Sequence, residues 1–574
     1  MRGLGRHWIY VVLTAALAVA VAIWAIPELG GRVSYSGTFG PAPSTPPPLP
    51  SLSPDLFLFP TSAQIALLAV GIGLLVQIYS TAYLGHHPRY RSYALIIVLF
   101  LVAMLAVVGT TNLWVLLVGW EVMGLCSYLL IGHEWQTGEA RAGAAKAFLV
   151  TRIADLGLVL AILVIGETYG TYDLLGAELG ASEGVQHPTA IGLLVLVAVM
   201  GKSAQFPLHT WLPDAMPGPT PITALIHAAT MVAAGVYLAA RLFPLYSSSE
   251  VVVTAMAVVA GTTMLLGALF ALVQTDLKRA LAWSTVSQLA LMFAAIATGD
   301  PEAGTDHLLS HGVWKALLFL GCGCLMHAVG SSGLSTMGGL RDRMPTTFVT
   351  MTIGFAALAG IVPTVGFFTK DSVLHAVLEA GDGDHGVAAP VAYVLLAVTL
   401  VTSFLTAAYA TRLWVLAFFG PAHAAEGREV HEAPRAMVGP LVVLAVATFA
   451  LSIGQPFHLG IGVVGTLVAL AGVGFVLWRR RAGSALAWAP RPLAAELGID
   501  RAYDHWIPAA TRAASRGVID VDSDAVDAYP RGSAVLSDTV SKGLGLVQSR
   551  NVQRYATVIA AGVVLLTVVA VIWS

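Results

Sequence analysis

Charge is the scarcest property of this 574-residue sequence: Asp, Glu, Lys and Arg together make up 11% of it. So thin a polar coat excludes a soluble domain of this length and equally a solvated, disordered chain. Cysteine is nearly absent, and the three present, Cys126, Cys322 and Cys324, all fall inside apolar runs. No disulfide framework or iron–sulfur site is supported, so neither a cofactor nor a metal site of this chain's own is expected. A basic excess is missing as well, with 30 Lys and Arg against 32 Asp and Glu.

What is abundant is apolar. Hydrophobic residues reach 57% and mean hydropathy is +0.79, values typical of a chain that crosses a bilayer many times. Runs of roughly 18 or more apolar residues predict about fifteen spanning helices. They lie near 8–26, 61–83, 92–108, 113–131, 145–165, 191–206, 220–242, 251–273, 280–297, 308–329, 347–367, 388–413, 437–453, 459–478 and 556–573. The first follows Arg2 and Arg6 as a signal peptide would, but no small-residue cleavage site precedes the Pro-rich PAPSTPPPLP, so it reads as a retained helix.

Counted off alternately, the loops segregate charge. One set holds Arg2, Arg6, Arg89, Arg91, Arg141, Lys278, Arg279, Arg341, Arg343, Arg428, Arg435 and Arg479 to Arg481. The other holds Glu167, Asp173, Glu178, Glu183, Asp300, Glu302, Asp306, Asp382 and Asp384, with Arg32 and Arg241 as exceptions. Basic loops stay in the cytoplasm. The N-terminus is therefore expected inside, and the C-terminus outside after an odd number of crossings, in an energy-transducing membrane such as a bacterial plasma membrane. This segregation by side also makes the formal net charge of −2 uninformative about partners.

Against that background Lys202, in GKSAQFPLHTWLPDAM, stands out. A lysine near the bilayer centre costs at least ~2.5 kcal/mol, so an ionisable residue there is a functional hypothesis. Others share its setting: Glu121, Lys146, Asp155, His227, Lys278, His307, His311, Lys315 and Lys370. His307, His311 and Lys315 recur at i, i+4 and i+8, on one helical face. A row of titratable groups suits proton movement, because each hop needs a donor and an acceptor of comparable proton affinity. Desolvation weakens a lysine's hold on its proton and a nearby carboxylate such as Glu121 strengthens it, so changing that distance loads or releases a proton.

Two helices are expected to break. Pro207, Pro213, Pro217, Pro219 and Pro221 interrupt the ladder after Lys202, and Gly360, Pro363 and Gly366 interrupt ALAGIVPTVGFFTKD before Lys370 and Asp371. Paired broken helices in two chain halves point to an inverted-repeat transporter with its ion sites near the midplane. The expected fold is an all-α integral membrane protein with two inverted five-helix repeats, each with a broken helix. Its parts would be residues 1–90 with N-terminal helices, 91–242 and 243–420 as the repeats, 421–490 with further helices, 491–554 as an amphipathic lateral helix and 555–574 as an anchor. Pro530 and Gly532 should kink or interrupt the lateral helix, and a linker to the anchor is the alternative reading of 491–554.

The motifs GWEVMGLCSYLLIG, KAFLVTRIADLGL, FPLHTWLPDAMPGPTPITALIHAATMVAAGVYL, DLKRALAWSTVSQ, KALLFLGCGCLMHA and MGGLRDRMP resemble the large antiporter-like, L-type subunit of proton-pumping NADH–quinone oxidoreductase, respiratory complex I. The likeness runs from about Ile78 to Gly420 and is weaker in DRAYDHW, GVIDVDSDAVDAYPRGS and GLVQSRNVQRYA. It implies a subunit without redox cofactors that moves protons in response to quinone chemistry in neighbouring membrane subunits. It also implies Glu121 and Lys202 as the regulating pair, and His227, His307, His311 and Lys315 as the central relay. Lys370 with Asp371 would be the outward exit, and Asp155 a carboxylate at a subunit interface. The lateral helix would clamp neighbouring antiporter-like subunits. The expected partners are lipid, protons and other membrane subunits, with no nucleic acid.

Departures are visible. One initial helix of the family is missing, its D-G-L-S is LFPTSAQ here, its K-D-E is Lys370-Asp371-Ser372, and its H-A-F-F-K is His311-Gly312-Val313-Trp314-Lys315. They suggest a divergent paralogue. Alternatives from other classes are a multisubunit sodium/proton antiporter, the membrane half of an inorganic-carbon uptake complex with a zinc-containing soluble partner, and a scaffold without conduction. Blander readings stand beside individual residues. Lys146 reads as a snorkelling anchor; Lys278 and Arg279 serve the relay or merely the positive-inside rule. His209 is structural or a point of proton uptake, His327 reads as a satisfied core histidine, and Cys126 as packing.

Overall fold

A computed structural model of the chain describes residues 4–26, 60–181, 184–383, 386–421, 430–482, 490–522, 526–548 and 550–573. The Pro-rich segment, Arg2, Arg32, Glu183, Asp384, Arg428 and Asp524 lie outside the described residues. Among them every regular element is helical, as lipid requires of a backbone that must satisfy its own donors and acceptors. Among the described residues twelve helices are long and apolar enough to cross a membrane, and three shorter apolar ones, Pro188–Lys202, Pro345–Ala359 and Arg435–Ala450, occupy three further runs read as spans.

Two helices come first, α1 (Leu4–Ala25) and α2 (Pro60–Tyr83). A first group follows: α3 (Tyr90–Gly109), α4 (Leu113–Ile131), α5 (Gly138–Tyr169), the short α6 (Leu174–Ala181), α7 (Pro188–Lys202), the four-residue α8 (Trp211–Asp214), α9 (Thr220–Ala228) and α10 (Met231–Arg241). A second group repeats the plan: α11 (Glu250–Val273), α12 (Leu277–Ala297), α13 (Pro301–Val329), α14 (Pro345–Ala359), α15 (Val365–Gly381) and α16 (Ala389–Phe418). With α7–α8, α9–α10 and α14–α15 each counted as one crossing, both groups contain five. An odd number of crossings turns the second group upside down relative to the first.

A pair of short antiparallel backbone bridges marks the repeat. At the start of α4, Leu113 N–H donates to Tyr172 O at 2.9 Å and Leu174 N–H to Thr111 O at 2.8 Å; at the start of α12, Leu277 N–H donates to Ser332 O at 2.9 Å and Leu334 N–H to Thr275 O at 2.8 Å. In each group the bridge ties the second helix to the loop after the third. The capping residues correspond too. Asn112 Oδ1 accepts from Trp114 N–H at 3.0 Å, and Asp276 Oδ1 accepts from Arg279 N–H at 2.8 Å, each filling donors that a helix start leaves open.

Both expected breaks occur. Beyond α7, Trp211 Nε1–H donates to Gly201 O at 2.9 Å, Ser203 Oγ–H to Val232 O at 2.7 Å, and Phe206 N–H to Thr263 Oγ1 at 3.0 Å. Side chains thus replace the lost ladder, which is how irregular backbone survives at this depth. After α14, Gly360 adopts a left-handed φ of 75°, a conformation costly for any residue with a Cβ. A third break was not expected: the run 220–242, read as one span, splits between Ala228 and Met231. No proline or glycine announces it. Thr230 Oγ1–H donates to Leu225 O at 2.8 Å and closes the gap in the ladder locally.

The enclosed core is built from α9, α10, α12 and α13, whose apolar windows are almost wholly covered. Helix α13 is central, packed against α9, α12, α14, α15 and α17 (Arg435–Ala450). The periphery includes α1 and α18 (Leu459–Arg481), which remain largely exposed to their surroundings. The first compact unit runs to Leu497 and includes α19 (Arg491–Ala494). The second, Gly498–Ser574, holds α20 (Ile499–Val521), α21 (Ala528–Val547) and the apolar α22 (Val552–Trp573), in which no residue is buried. Among the described residues, 491–548 hold α19, α20 and α21, and Pro530 sits in the first turn of α21, where a missing N–H costs nothing.

Candidate functional site

Helix α7 ends at Lys202, and the break aims that side chain at α4 and α5. Its Nζ is fully buried, lies 3.1 Å from Asp155 Oδ2 and sits 4.9 Å over the Trp120 ring. Trp120 Nε1–H donates to the other carboxylate oxygen, Asp155 Oδ1, at 2.6 Å. Gly124 leaves the room: a Cβ there would stand 3.2 Å from the ammonium nitrogen. Two buried charges with extra hydrogen bonds are the arrangement in which a desolvated pair holds together.

The expected pairing differs from the observed one. Glu121 is not the ion-pair partner of Lys202; its Oε2 binds Arg152 Nη1, and Arg152 lies three residues before Asp155 on α5. Asp155, expected at a subunit interface, is 2% exposed, whereas Arg152 and Glu121 are 41% and 24% exposed at the side chain. Arg152, which follows the apolar KAFLVT, carries no sequence signal beyond being an arginine inside an apolar run.

His227, in the last turn of α9 before the unexpected break, is fully buried. Neither ring nitrogen of His227 or of His311 has a hydrogen-bond partner among the described residues. Buried nitrogens of this kind are rare in finished cores. The α13 row is present as the i, i+4 spacing requires: His307, His311 and Lys315 are all fully buried, with the two rings 6.4 Å apart and Trp314 against both. Lys315 donates to Leu281 O at 3.1 Å and to Ser284 Oγ of α12. His307 Nδ1 lies 3.0 Å from Thr369 Oγ1, which brings α13 against α15, and its Nε2 lies 3.4 Å from Gln288 Oε1.

One residue on from Thr369, Lys370 reaches back across the second break and donates to Leu358 O, the free carbonyl end of α14. Among the described residues no carboxylate pairs with Lys315 or Lys370. Asp371 faces a different way and is held by His458 at the start of α18: His458 N–H donates to Asp371 Oδ2 at 2.7 Å. Thus Glu121, Asp155, Lys202, His227, Lys315, His311, His307, Lys370 and Asp371 extend through the first unit from α4–α5 to α15–α18.

Lys278 is bound to backbone carbonyls. Its Nζ donates to Met216 O at 2.7 Å and Gly218 O at 2.5 Å, binding the carbonyls of the loop that leads into α9. Lys146 is paired rather than free in water, with Asp214 Oδ2 at 2.6 Å, and Asp214 Oδ1 accepts from Arg279 Nη1 at 3.0 Å. Arg279 goes on to Glu496, which also accepts from Trp283 Nε1–H at 3.0 Å and Gln274 Nε2–H at 3.1 Å. This chain of charges from α5 to the segment after α19 was not foreseen, because Glu496 lies 217 residues from Arg279. His209 is buried with its ring near Phe206 and Trp283. His327, read as a core histidine, is exposed and lies near the His431 ring.

Comparison with known proteins gives this arrangement a family. Residues 110–407, more than half of the chain, match the family described as "NADH:quinone oxidoreductase/Mrp antiporter, TM". The chain belongs to that family. It is 42% identical over 393 residues to NADH-quinone oxidoreductase subunit L of Mycobacterium tuberculosis, covering 67% of this chain and 61% of that one. The chain thus spans about three-fifths of that relative's length. It is 34% identical to F(420)H(2) dehydrogenase subunit L of Methanosarcina mazei, over 89% of this chain and 86% of that one. Among solved structures, the Mrp complex of Dietzia sp. DQ12-45-1b superposes with a TM-score of 0.66 and 25% identity, covering all of this chain and 62% of that one. The matched segment of the family runs from the start of α4 into α16 and holds every one of the buried relay candidates named above.

Proposed function

We propose that this chain is the proton-translocating, antiporter-like subunit of a complex I-like donor–quinone oxidoreductase, with no redox cofactor of its own. The observation that carries the reading is the succession of buried ionisable side chains through the enclosed core, from Asp155 and Lys202 by way of His227 and α13 to Lys370. Such residues are costly in a membrane interior and are retained where ions pass. Relatives named as subunits of an NADH-quinone oxidoreductase and of an F(420)H(2) dehydrogenase support an electron-transfer partner.

Glu121 and Arg152 give the coupling a handle. They form a charged pair at the surface of the unit in the middle of apolar helices, where lipid is a poor neighbour, so another membrane subunit is the fitting one. A charge moving in that subunit would draw Arg152 away. Glu121 would then compete with Asp155 for Lys202, and the proton on Lys202 would be held more or less firmly as the carboxylates approach or recede. Loss of that proton towards His227 starts a transfer along α13 to Lys370, with bridging waters over gaps as long as the 6.4 Å between His307 and His311.

Orientation follows the same reading: N-terminus cytoplasmic, C-terminus outside, in an energy-transducing membrane. The deciding experiment is purification of the tagged chain in mild detergent with identification of every co-purifying subunit. Quinone-module subunits are expected, with NADH-driven proton uptake by inside-out vesicles that Lys202→Met abolishes. The likeness to the Mrp complex favours sodium/proton antiport as the second reading; recovery of an antiporter subunit set and sodium-dependent proton exchange would replace the first with it.

A further inference from the structure

Beyond Lys370 the relay candidates above stop at Asp371, a carboxylate almost wholly buried. Three side chains continue outward from it. Asp371, His375 and Glu379 recur at i, i+4 and i+8 on one face of α15, the same spacing as the row on α13. His458, from the turn that opens α18, completes the line. Its Nδ1 lies 3.1 Å from Asp371 Oδ2; its ring stacks on that of His375 with centroids 3.7 Å apart at 20°; and His375 Nε2 lies 3.1 Å from Glu379 Oε1. Side-chain exposure rises along the line, from 1% at Asp371 to 29% at His458, 32% at His375 and 65% at Glu379.

The inner end opens on a cavity of about 20 Å³ shared by Lys370 and Asp371 and bordered by Gly360, Ser403 and Gly462, wide enough for a water molecule. Asp371 Oδ1 is buried and has no hydrogen-bond partner among the described residues. Gly462 makes the space: a Cβ there would come within 2.7 Å of that oxygen.

The geometry points to Asp371, His458, His375 and Glu379 as the outward proton exit of this chain, with the stacked histidines passing one proton at a time. This deepens the translocation reading and rests on it. A proton leaves the Lys370 ammonium for the Asp371 carboxylate through the cavity, moves to His458, then by way of a bridging water at the ring edges to His375, then to Glu379 and to bulk water, while the relay reloads Lys370. One proton enters and one leaves, and every group ends with the charge it began with. Two imidazolium rings 3.7 Å apart repel each other, so a second proton waits on Asp371 until the first has gone. The single charge on the stack also disfavours return flow while Glu379 is loaded.

The test uses the assembled complex in inside-out vesicles driven by NADH, with internal acidification followed by a pH-sensitive dye and assembly scored on native gels. His458→Gln keeps a polar group towards Asp371 without a titrating ring, and His375→Gln does the same for the stack. Each is expected to slow acidification at least about tenfold, a floor below the roughly 10²–10⁴-fold that a positioned proton carrier contributes. The double variant should be no slower than the slower single one, because the two act in series. Imidazole should restore flux to His458→Gly, a result that a purely structural role for the ring would not give. If Lys202→Met stops acidification while His458→Gln and His375→Gln both pump at the wild-type rate, the exit is elsewhere and the translocation reading stands. If Lys202→Met pumps normally, or the wild type does not acidify the vesicles, the translocation reading falls and the exit falls with it.

Discussion

Removing the carboxylate of Asp155 strands a fully buried ammonium, and removing that of Glu121 strands an arginine that is 41% exposed. The two losses differ because an unpaired charge is expensive only where water cannot reach it. Asp155→Asn should therefore destabilise the assembled complex by about 3–5 kcal/mol, and Glu121→Gln by about 1 kcal/mol or less. Thermal unfolding of the detergent-solubilised complex reads both. If Glu121→Gln proves the more damaging, Glu121 rather than Asp155 is the resting partner of Lys202. The ionisable residues were legible one at a time because charge is rare in this sequence. Their partners were not, since Arg152 and Asp155 lie three residues apart on α5 and only packing decides which of them faces the core.

The broken helices depend on backbones approaching where no side chain intervenes. A Cβ on Gly366 would stand 2.1 Å from Ala357 O, joining the first turn of α15 to the last of α14. Gly366→Ala must push these apart, at a cost of about 1–3 kcal/mol, and is expected to lower the melting temperature and displace Lys370 from Leu358 O. Gly143→Ala, whose Cβ would meet Asp214 O at 2.1 Å, should behave likewise in the first group. At the far end of the unit, Glu496 and Leu497 hold left-handed φ values of 51° and 56°, unfavourable for residues with side chains. The hydrogen bonds from Arg279, Trp283 and Gln274 keep them there. Glu496→Ala removes these charge-assisted bonds, of about 1.5–3 kcal/mol each. Limited proteolysis should then cut faster near residue 496. Proline and glycine made two breaks readable in the sequence; the third, closed by the Thr230 hydroxyl, carried no such mark.

At the scale of the molecule, five crossings per repeat place Glu139, in the first turn of α5, and Asp382, just after α15, on opposite sides. The native Cys126, Cys322 and Cys324 are buried. A membrane-impermeant thiol reagent should therefore label Glu139→Cys only from the cytoplasm and Asp382→Cys only from outside, and labelling of both from one side would overturn the topology. Hydropathy by itself determined that the chain is helical and spans a membrane, because apolar runs of about twenty residues match a helix that satisfies its own polar groups, whereas the strands of a closed barrel need only about ten. Spacing by itself put His307, His311 and Lys315 on one face, because a helix returns to the same face every four residues. Only the tertiary structure decided which charges meet: Lys202 with Asp155, Arg279 with Glu496, and Asp371 with His458. Those contacts join residues 47, 217 and 87 positions apart, and no local periodicity records which helices pack together.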